Sequence, residues 1–304
     1  MLVYIRPKSK FPPLHSDTIF GSIIYSISQI YPEKLEKIVS RFTETPLNPP
    51  FMVSSAFPFI DSTEGPVKFF PRIIDQPVKA DPEMMKKFKK VEFIQEEIFQ
   101  KWASGKFNEG DIIDNLREYV LEDNLLLTQE ISSIFGRNPI IEPKNSINRL
   151  SGASENIFYA TGDNYHNMGL FFMVKIIDSE FEEYVHASLK FLQDRGFGRD
   201  ISTGGGQFSY EIQEIDLEEG DGDRFVTLSR YIPSTEELED MARDSWFEIG
   251  SKRGRSSSGE IRKQIRFFQE GSTFKHNHND YYGRVVESGE KSLEYGLAYT
   301  FNLK

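Results

Sequence analysis

The sequence predicts an α+β fold, because segments with strand patterns alternate with segments of helical periodicity in both halves of the chain. A length of 304 residues is typical of about two domains. The polar, turn-rich stretch at residues 143–152 predicts a boundary between a first domain at residues 1–155 and a second at residues 156–304.

In the first half, residues 2–6 are predicted to form a strand that ends before Pro7. Ser16 or Asp17 could cap a helix, since apolar residues recur at helical spacing from Phe20 to Ile30. Residues 82–102 are predicted to form one amphipathic helix, and a second helix is predicted around residues 111–118. The first domain would therefore carry a helical insertion at about residues 82–135.

In the second half, strands are predicted at residues 169–177, 207–215 and 226–232, and a helix at residues 180–194. Pro233 and Ser234 precede another helix, and short strands are predicted at residues 265–268 and 293–301. The order strand, helix, glycine-rich loop, strand, strand, helix and strand indicates a split β-α-β arrangement, the ferredoxin-like or RRM-type fold. Sheets of this class often bind single-stranded RNA.

Charge is unevenly distributed along the chain. Taken over the whole chain, the net charge of −11 argues against a protein that binds nucleic acid. Residues 211–223 contain seven acidic side chains, whereas residues 251–268 contain six basic side chains and one acidic one. The basic run could bind a polyanion and the acidic run a basic partner, although a solvated surface also explains the acidic run.

Several classes of protein are excluded or disfavoured by composition. There is no cysteine, which excludes disulfides and thiolate metal sites and fits a reducing compartment. The longest apolar run, residues 169–177, is interrupted by Lys175 and is too short to span a bilayer. The first residues have no secretory pattern. We therefore expect a cytoplasmic protein that needs neither a membrane nor a cofactor.

A glycine-rich loop at residues 196–206 contains five glycines, with Arg195 and Arg199 beside it. Free N–H groups of successive residues can bind an anion, and arginine matches the geometry of phosphate. The loop is neither a P-loop, which needs a lysine after its last glycine, nor a dinucleotide-binding turn, which lies between a strand and a helix. A glycine-rich helix stop without a ligand is the alternative interpretation.

Six segments follow one another along the chain in a recognisable order. They are HSDTIFG at residues 15–21, SSAFPF at 54–59, PKNSINRLSG at 143–152, GFGRDISTGGGQF at 196–208, LSRYIPS at 228–234 and EGSTF at 270–274. In this order they resemble the RAMP-superfamily subunit of type III-A CRISPR Csm complexes that holds the 5′ end of the guide RNA. The resemblance spans nearly the whole chain.

The resemblance implies two ferredoxin-like domains and a non-catalytic subunit that binds RNA. Such a subunit grips the 5′ handle of the CRISPR RNA, caps the backbone filament and contacts both the large polymerase-like subunit and the repeating backbone RAMP subunit. It implies antiviral defence in which other subunits cut RNA and DNA. The segment around Asn148 and Arg149 matches the family's thumb-like hairpin.

Loop chemistry and resemblance together predict a set of residues that bind RNA. Backbone N–H groups, hydroxyls and cations are the groups that a single-stranded handle requires. The set is His15, Asn148, Arg149, Arg195, Arg199, Ser202, Thr203, Gly204, Gly205, Gly206, Lys252, Arg253 and Arg255. Among the aromatic residues, Phe197 is predicted to face a base or a partner. No metal ligand is predicted.

Two alternative functions remain open. His15 could act as the general base of a metal-independent ribonuclease that processes guide RNA, although one histidine supplies only half of that mechanism. The chain could instead be a cap that contacts only proteins. His276 and His278 suggest a metal site, but the strong zinc spacings are absent and a solvent-exposed loop is the preferred interpretation. Asp17 is interpreted as a helix cap.

Overall fold

The computed structural model describes residues 1–44, 48–131, 134–198, 201–215, 217–241, 244–254, 261–277, 279–289 and 292–304. Its elements up to the first long hairpin are β1 (Leu2–Pro7), α1 (Ser16–Ile30), α2 (Leu35–Thr43), β2 (Phe51–Val53), β3 (Phe57–Ser62), β4 (Gly65–Pro71), α3 (Pro82–Phe88), β5 (Phe93–Gln95), α4 (Glu96–Ala103), α5 (Glu109–Asp114), β6 (Val120–Glu122) and β7 (Leu125–Leu127).

The remaining elements include a second group of strands around two further helices. They are β8 (Gly136–Ile147), β9 (Ser154–His166), β10 (Met168–Ile176), α6 (Glu182–Arg195), β11 (Phe208–Gln213), β12 (Arg224–Thr227), α7 (Thr235–Met241), β13 (Ile249–Lys252), β14 (Ile265–Phe268), β15 (Thr273–Lys275), β16 (Val286–Gly289), β17 (Ser292–Glu294) and β18 (Thr300–Asn302). None of the helices in the described ranges is long and apolar enough to cross a membrane.

The main sheet has the strand order β11-β1-β10-β3, with antiparallel neighbours throughout these four strands. This is the ferredoxin-like order, in which α1 follows β1 and precedes β3 along the chain, and α6 connects β10 to β11. Strands β4, β5, β7 and β6 extend the same sheet beyond β3. The predicted α+β class is confirmed, and the first unit has the complete ferredoxin-like topology.

Helices α1 and α6 pack side by side and cover the sheet. Ile19, Ile23 and Ile27 are buried because they recur every four residues on one face of α1. In α6, Val185 and Leu189 are buried in the same way. One apolar cluster joins these helices to β1, β10 and residues of the C-terminal part of the chain. The ferredoxin-like unit and the C-terminal part of the chain therefore share a core.

The second strand of the ferredoxin-like unit is interrupted at residues 54–56. Both β2 and β3 pair with β10, but the regular pairing stops between them, and the N–H groups of Ser55 and Ala56 bond elsewhere. Ser55 donates its N–H to the carbonyl of Leu228 at 2.8 Å, and Ala56 donates to that of Leu14 at 2.9 Å. The interruption thus binds the start of α1 and the C-terminal part to the sheet.

The prediction of a single helix at residues 82–102 is wrong. This segment consists of α3, the short strand β5 and α4. Val91 and Ile94 are buried, as the helical spacing required, but they are buried because the chain returns to the sheet there. Ile94 pairs with Phe70 of β4, and this tertiary pairing overrides the local periodicity.

The expected domain boundary at residues 155 and 156 falls inside β9, so it does not separate two folding units. Strands β10 and β11 both lie in the sheet of β1, which continues the first unit to residue 213. The polar stretch at residues 143–152 is instead the end of a two-stranded ribbon, β8–β9, where turn residues are also required. After β11, the C-terminal part of the chain consists of a three-stranded sheet, β15-β12-β18, and two small ribbons, β13–β14 and β16–β17.

Candidate nucleic-acid interface

The glycine loop, residues 196–206, follows α6 and lies against the segment after β1. Gly206 donates its N–H to the carbonyl of Lys10 at 2.8 Å, and Phe197 donates to the carbonyl of Gly206 at 2.9 Å. Gly206 has a φ of +73°, and a Cβ there would overlap the carbonyl oxygen of Phe197. Glycine is therefore required for the close approach of two backbone segments.

Most N–H groups expected to bind phosphate are unsuited to that role. Gly205 and Gly206 are buried, and the N–H of Gly204 already bonds to the carbonyl of Ile201 at 3.1 Å. Among the described residues of the loop, Gly198, Ser202, Thr203 and Gly204 are exposed. The loop thus presents hydroxyl groups, whereas its glycines shape the backbone.

The prediction for Phe197 is wrong. Its side chain is 2% exposed and packs between the rings of Phe11 and Phe208, with centroid distances of 5.9 and 5.1 Å. An aromatic residue between two glycines resembles an exposed loop residue in sequence. Here it anchors the loop in the core, and the flanking glycines allow the turn.

An open groove of about 1190 Å³ runs beside the loop. Residues from four parts of the chain line it. They include Thr18, Gly21, Ser22 and Tyr25 of α1, Leu35 and Val39 of α2, Arg195, Gly196 and Gly198 at and after the end of α6, and Lys252 and Arg262 of the C-terminal part. Because Gly21 has no side chain and that of Ser22 is small, a chain of nucleotides could approach this face of α1 closely.

Arg195 and Tyr25 form an exposed stacking surface in this groove. The guanidinium carbon of Arg195 lies 5.1 Å from the centroid of the Tyr25 ring, and Tyr25 is 39% exposed. Arginine and tyrosine are the groups that bind phosphates and stack on bases of single-stranded RNA. Sequence reasoning missed Tyr25, whose signal is an aromatic residue on the polar side of an amphipathic helix.

Lys252, which the sequence predicts to bind RNA, belongs to a network of ion pairs. Its ammonium group contacts the carboxylates of both Asp17 and Glu294. Arg230 lies 3.1 Å from Asp17, and Arg262 lies 3.2 Å from Glu294. The network connects α1 to the C-terminal part, so Lys252 borders the groove with its charge already compensated.

Asp17 is the central anion of this network and is not a helix cap. The residue before α1 is His15, and Asp17 lies inside the first turn with its side chain 2% exposed. Burial alone would raise the pKa of the Asp17 carboxyl, but Arg230 and Lys252 lower that pKa below its ordinary value. The carboxylate is therefore kept charged by its partners.

His15 is held by a buried carboxylate. Its Nδ1 atom lies 3.1 Å from Oε1 of Glu270, and the hydroxyl of Ser55 donates to the same oxygen. Burial would raise the pKa of Glu270, but hydrogen bonds from His15 and Ser55 lower it overall. The His15 side chain is 40% exposed and faces a cavity separate from the groove.

The two residues at the end of the ribbon differ in role. The side-chain oxygen of Asn148 accepts hydrogen bonds from the N–H groups of Leu150 and Ser151, so Asn148 builds the turn. Arg149 is exposed beside it. The ribbon meets the loop further down, where Lys144 donates to the hydroxyl of Thr203 at 2.6 Å. At about 3.3 Å per residue, Arg149 lies roughly 16 Å beyond that contact.

The other predicted residues divide as follows. Arg253 is exposed and its side chain donates to the carbonyl of Arg262 at 3.3 Å. Arg199 and Arg255 lie outside the described residues. His276 contacts Tyr282 and Asn302 through its two ring nitrogens, at 3.0 and 3.1 Å, which gives it a structural position; His278 is also outside the described part of the chain.

Sequence comparison assigns the class of protein that this fold defines. Residues 2–209, which span the ferredoxin-like unit from β1 to the start of β11 and include the glycine loop, match the RAMP superfamily. The chain belongs to this superfamily.

A more particular similarity covers the rest of the chain. Residues 220–303 match the CRISPR Csm4 C-terminal domain. Over 303 residues the chain is 24% identical to the CRISPR system Cms protein Csm4 of Thermococcus onnurineus (strain NA1), covering 98% of this chain and 91% of that protein.

Solved structures share the fold over the full length of the chain. A Csm3–Csm4 subcomplex of the type III-A CRISPR–Cas interference complex matches with a TM-score of 0.71 and 18% identity, covering 100% of this chain and 99% of the other. A Csm1–Csm4 cassette in complex with AMPPNP matches with a TM-score of 0.57 and 20% identity, covering 100% and 97%.

Proposed function

We propose that this chain is the Csm4-type subunit of a type III-A CRISPR effector complex. In this role it anchors the 5′ handle of the CRISPR RNA and joins the large subunit to the backbone RAMP subunits, without cutting RNA itself. The similar proteins were solved with Csm3 and with Csm1 as partners, which supports the two protein contacts.

The observation that carries the RNA-binding role is the groove between α1 and the glycine loop. It combines an exposed guanidinium stacked on an exposed aromatic ring with hydroxyl groups of Thr18 and Ser22. These groups bind phosphate and base without reading a duplex, which suits a single-stranded handle. Ser202, Thr203 and Gly204 would extend this surface toward the ribbon, and Arg149 would contact RNA at its end.

The test is a titration of labelled 5′-handle RNA and of a scrambled RNA of equal length at several salt concentrations. The wild-type chain should bind the handle more tightly, with a steep salt dependence that reports phosphate contacts. The double variant Arg195→Ala/Tyr25→Ala should bind about tenfold or more weakly, because one phosphate contact and one stacking contact are removed.

Lys190→Ala is the matched control, since Lys190 is an exposed cation on the same helix outside the groove. Handle affinity that is equal in the wild type and the double variant would contradict RNA anchoring in the groove. Because neighbouring subunits can be required to complete an RNA-binding site, the titration is repeated on the assembled complex.

A ribonuclease is the second candidate, and one observation favours it. Glu270 binds Nδ1 of His15, an arrangement that would direct Nε2 toward the cavity as a general base. Cleavage of repeat RNA in EDTA that is lost in His15→Ala would establish this activity. Intact RNA after prolonged incubation with the complex would exclude it.

A further inference from the structure

A second cavity, of about 350 Å³, lies at the stem of the β8–β9 ribbon. This stem cavity is lined by His15 but not by its partner Glu270, and it shares no lining residue with the groove. Buried apolar side chains of Leu14, Met168 and Leu170 form its floor. Half-buried aromatic rings of Phe93, Phe135 and Tyr165 form its walls.

Four carboxylates line the entrance to the stem cavity, namely those of Glu92, Glu122, Asp123 and Asp163. Against them stands one guanidinium, that of Arg137, which hydrogen-bonds to the Tyr165 hydroxyl. None of the four carboxylates forms an ion pair with a cation in the described ranges of the chain. The entrance therefore has an uncompensated negative charge.

The apolar interior and the acidic entrance of this cavity together define the chemistry of an occupant. An apolar, aromatic interior under an acidic entrance fits a side chain with a methylene stem and a cationic head. Rings of Phe93 and Phe135 add a surface over which a guanidinium or ammonium group is stabilised. Arginine is also enriched at the centres of protein interfaces, where it fills pockets of this kind.

The charge disfavours RNA as the occupant. Phosphates beside these four carboxylates and a single arginine would be repelled. The groove is also lined by four carboxylates, but it contains three cations, Arg195, Lys252 and Arg262, and its Asp17 and Glu294 are in ion pairs. The outer face of the ribbon supports a protein contact next to the cavity. Exposed side chains of Ile141, Ile157 and Tyr159 lie there, on the same ribbon face as Arg137 and Tyr165.

We infer that the stem cavity receives a lysine or arginine side chain of a neighbouring protein subunit, with the apolar ribbon face as its flank. The inference rests on the proposed function only in that the chain works inside a multisubunit complex. It assigns a docking site to the acidic stem cavity and leaves the groove to the RNA.

The experiment measures binding of the chain to the cognate backbone RAMP subunit and to the cognate large subunit separately. In the variant Glu122→Gln/Asp123→Asn two carboxylates become neutral amides of similar size, and asparagine tolerates the positive φ of Asp123. Affinity for one of the two subunits should fall about tenfold or more, with a weaker salt dependence than the wild type shows. Affinity for handle RNA should not change.

Glu218→Gln is the matched control, because Glu218 is an exposed acid outside the stem cavity. Unchanged affinity for both subunits would overturn the inference. Weakened RNA binding with intact subunit binding would assign the cavity to RNA and overturn it as well. Since these readouts are separate, failure of RNA anchoring in the groove would be seen independently.

A photo-crosslinking residue in place of Phe135 gives a second measurement that does not depend on affinity. In the assembled complex it should link to a partner peptide that contains lysine or arginine. Links to RNA alone, or no link to either partner, would contradict the proposal.

Discussion

The cationic side chains that line the groove or neighbour its lining residues form two groups, which differ in their anionic partners. Arg230, Lys252 and Arg262 contact the buried carboxylates of Asp17 and Glu294. Arg195 and Arg253 are exposed, and no ion pair within the described segments involves either of them. Lys252 and Arg253 are adjacent in sequence, so their roles are set by which carboxylates the fold brings near them.

The comparison teaches that a basic run is not a binding surface until its ion pairs are known. Removing one partner of a buried ion pair leaves the other charge buried and unpaired, which destabilises the fold. Removing an exposed cation changes the free energy of unfolding little. The two groups should therefore respond oppositely to substitution, one in stability and the other in RNA binding.

The largest effect is expected for Asp17→Ala. Arg230 and Lys252 would lose their shared buried carboxylate, which costs about 3–5 kcal/mol in the free energy of unfolding. Urea denaturation followed by circular dichroism measures it. A loss under about 1 kcal/mol would mean that the network is solvated and would end the contrast between the two groups.

The next effect compares two glycines of the loop. Gly206→Ala should lower the free energy of unfolding by more than about 2 kcal/mol, because the new Cβ overlaps the Phe197 carbonyl and the residue keeps a positive φ. Gly204→Ala should cost only about 1 kcal/mol, since its positive φ is the sole penalty in open space. Thermal denaturation of both variants tests this, and equal losses would contradict the buried–exposed division of the loop.

Acid should weaken the fold through Glu270. Its folded pKa lies below the ordinary value of 4.5, so this carboxylate contributes stability above that pH and loses it as the pH falls through the lower, folded value. Denaturation midpoints of the wild type should therefore fall below pH 4.5. Glu270→Gln should show a flatter decline over the same range, and parallel curves would show that Glu270 is not coupled to folding.

The smallest effect on stability is expected for Arg253→Ala, within about 0.5 kcal/mol of wild type. If Arg253 contacts handle RNA, its removal should reduce the slope of log affinity against log salt by about one. Arg195→Ala should behave in the same way, with a larger loss of affinity because its stacking on Tyr25 is also lost. A stability loss comparable to that of Asp17→Ala would place Arg253 in the paired group.

The site was only partly predictable. Arg195, Ser202 and Thr203 were predicted to bind RNA because glycines, arginines and hydroxyls are concentrated in one short segment. The structure places Arg195 in the lining of the groove and leaves Ser202 and Thr203 exposed, and their contact with RNA stays a prediction. Tyr25 was missed because it lies far away in sequence and meets Arg195 only through the packing of α1 against α6. Phe197 was misplaced because sequence does not reveal which loop aromatic turns inward.

Local physics determined much of the protein from sequence alone. The spacing of isoleucines specified α1, the apolar run before the acidic residues specified β10, and the glycines required a tight, irregular segment after α6. The α+β class follows from such patterns, and the family resemblance implied the ferredoxin-like fold. The patterns did not identify its strands, because the unit combines β1 and β3 with β10 and β11.

Long-range pairing decided the rest. Strands β10 and β11 return to β1 across more than 160 residues, which moves the unit boundary from residue 155 to beyond residue 213. The helix expected at residues 82–102 gave way to β5 for the same reason, because a buried sheet edge stabilises the chain more than local helical spacing does. Whether a cation is free or paired is likewise a property of contacts between distant segments, which only the tertiary structure brings together.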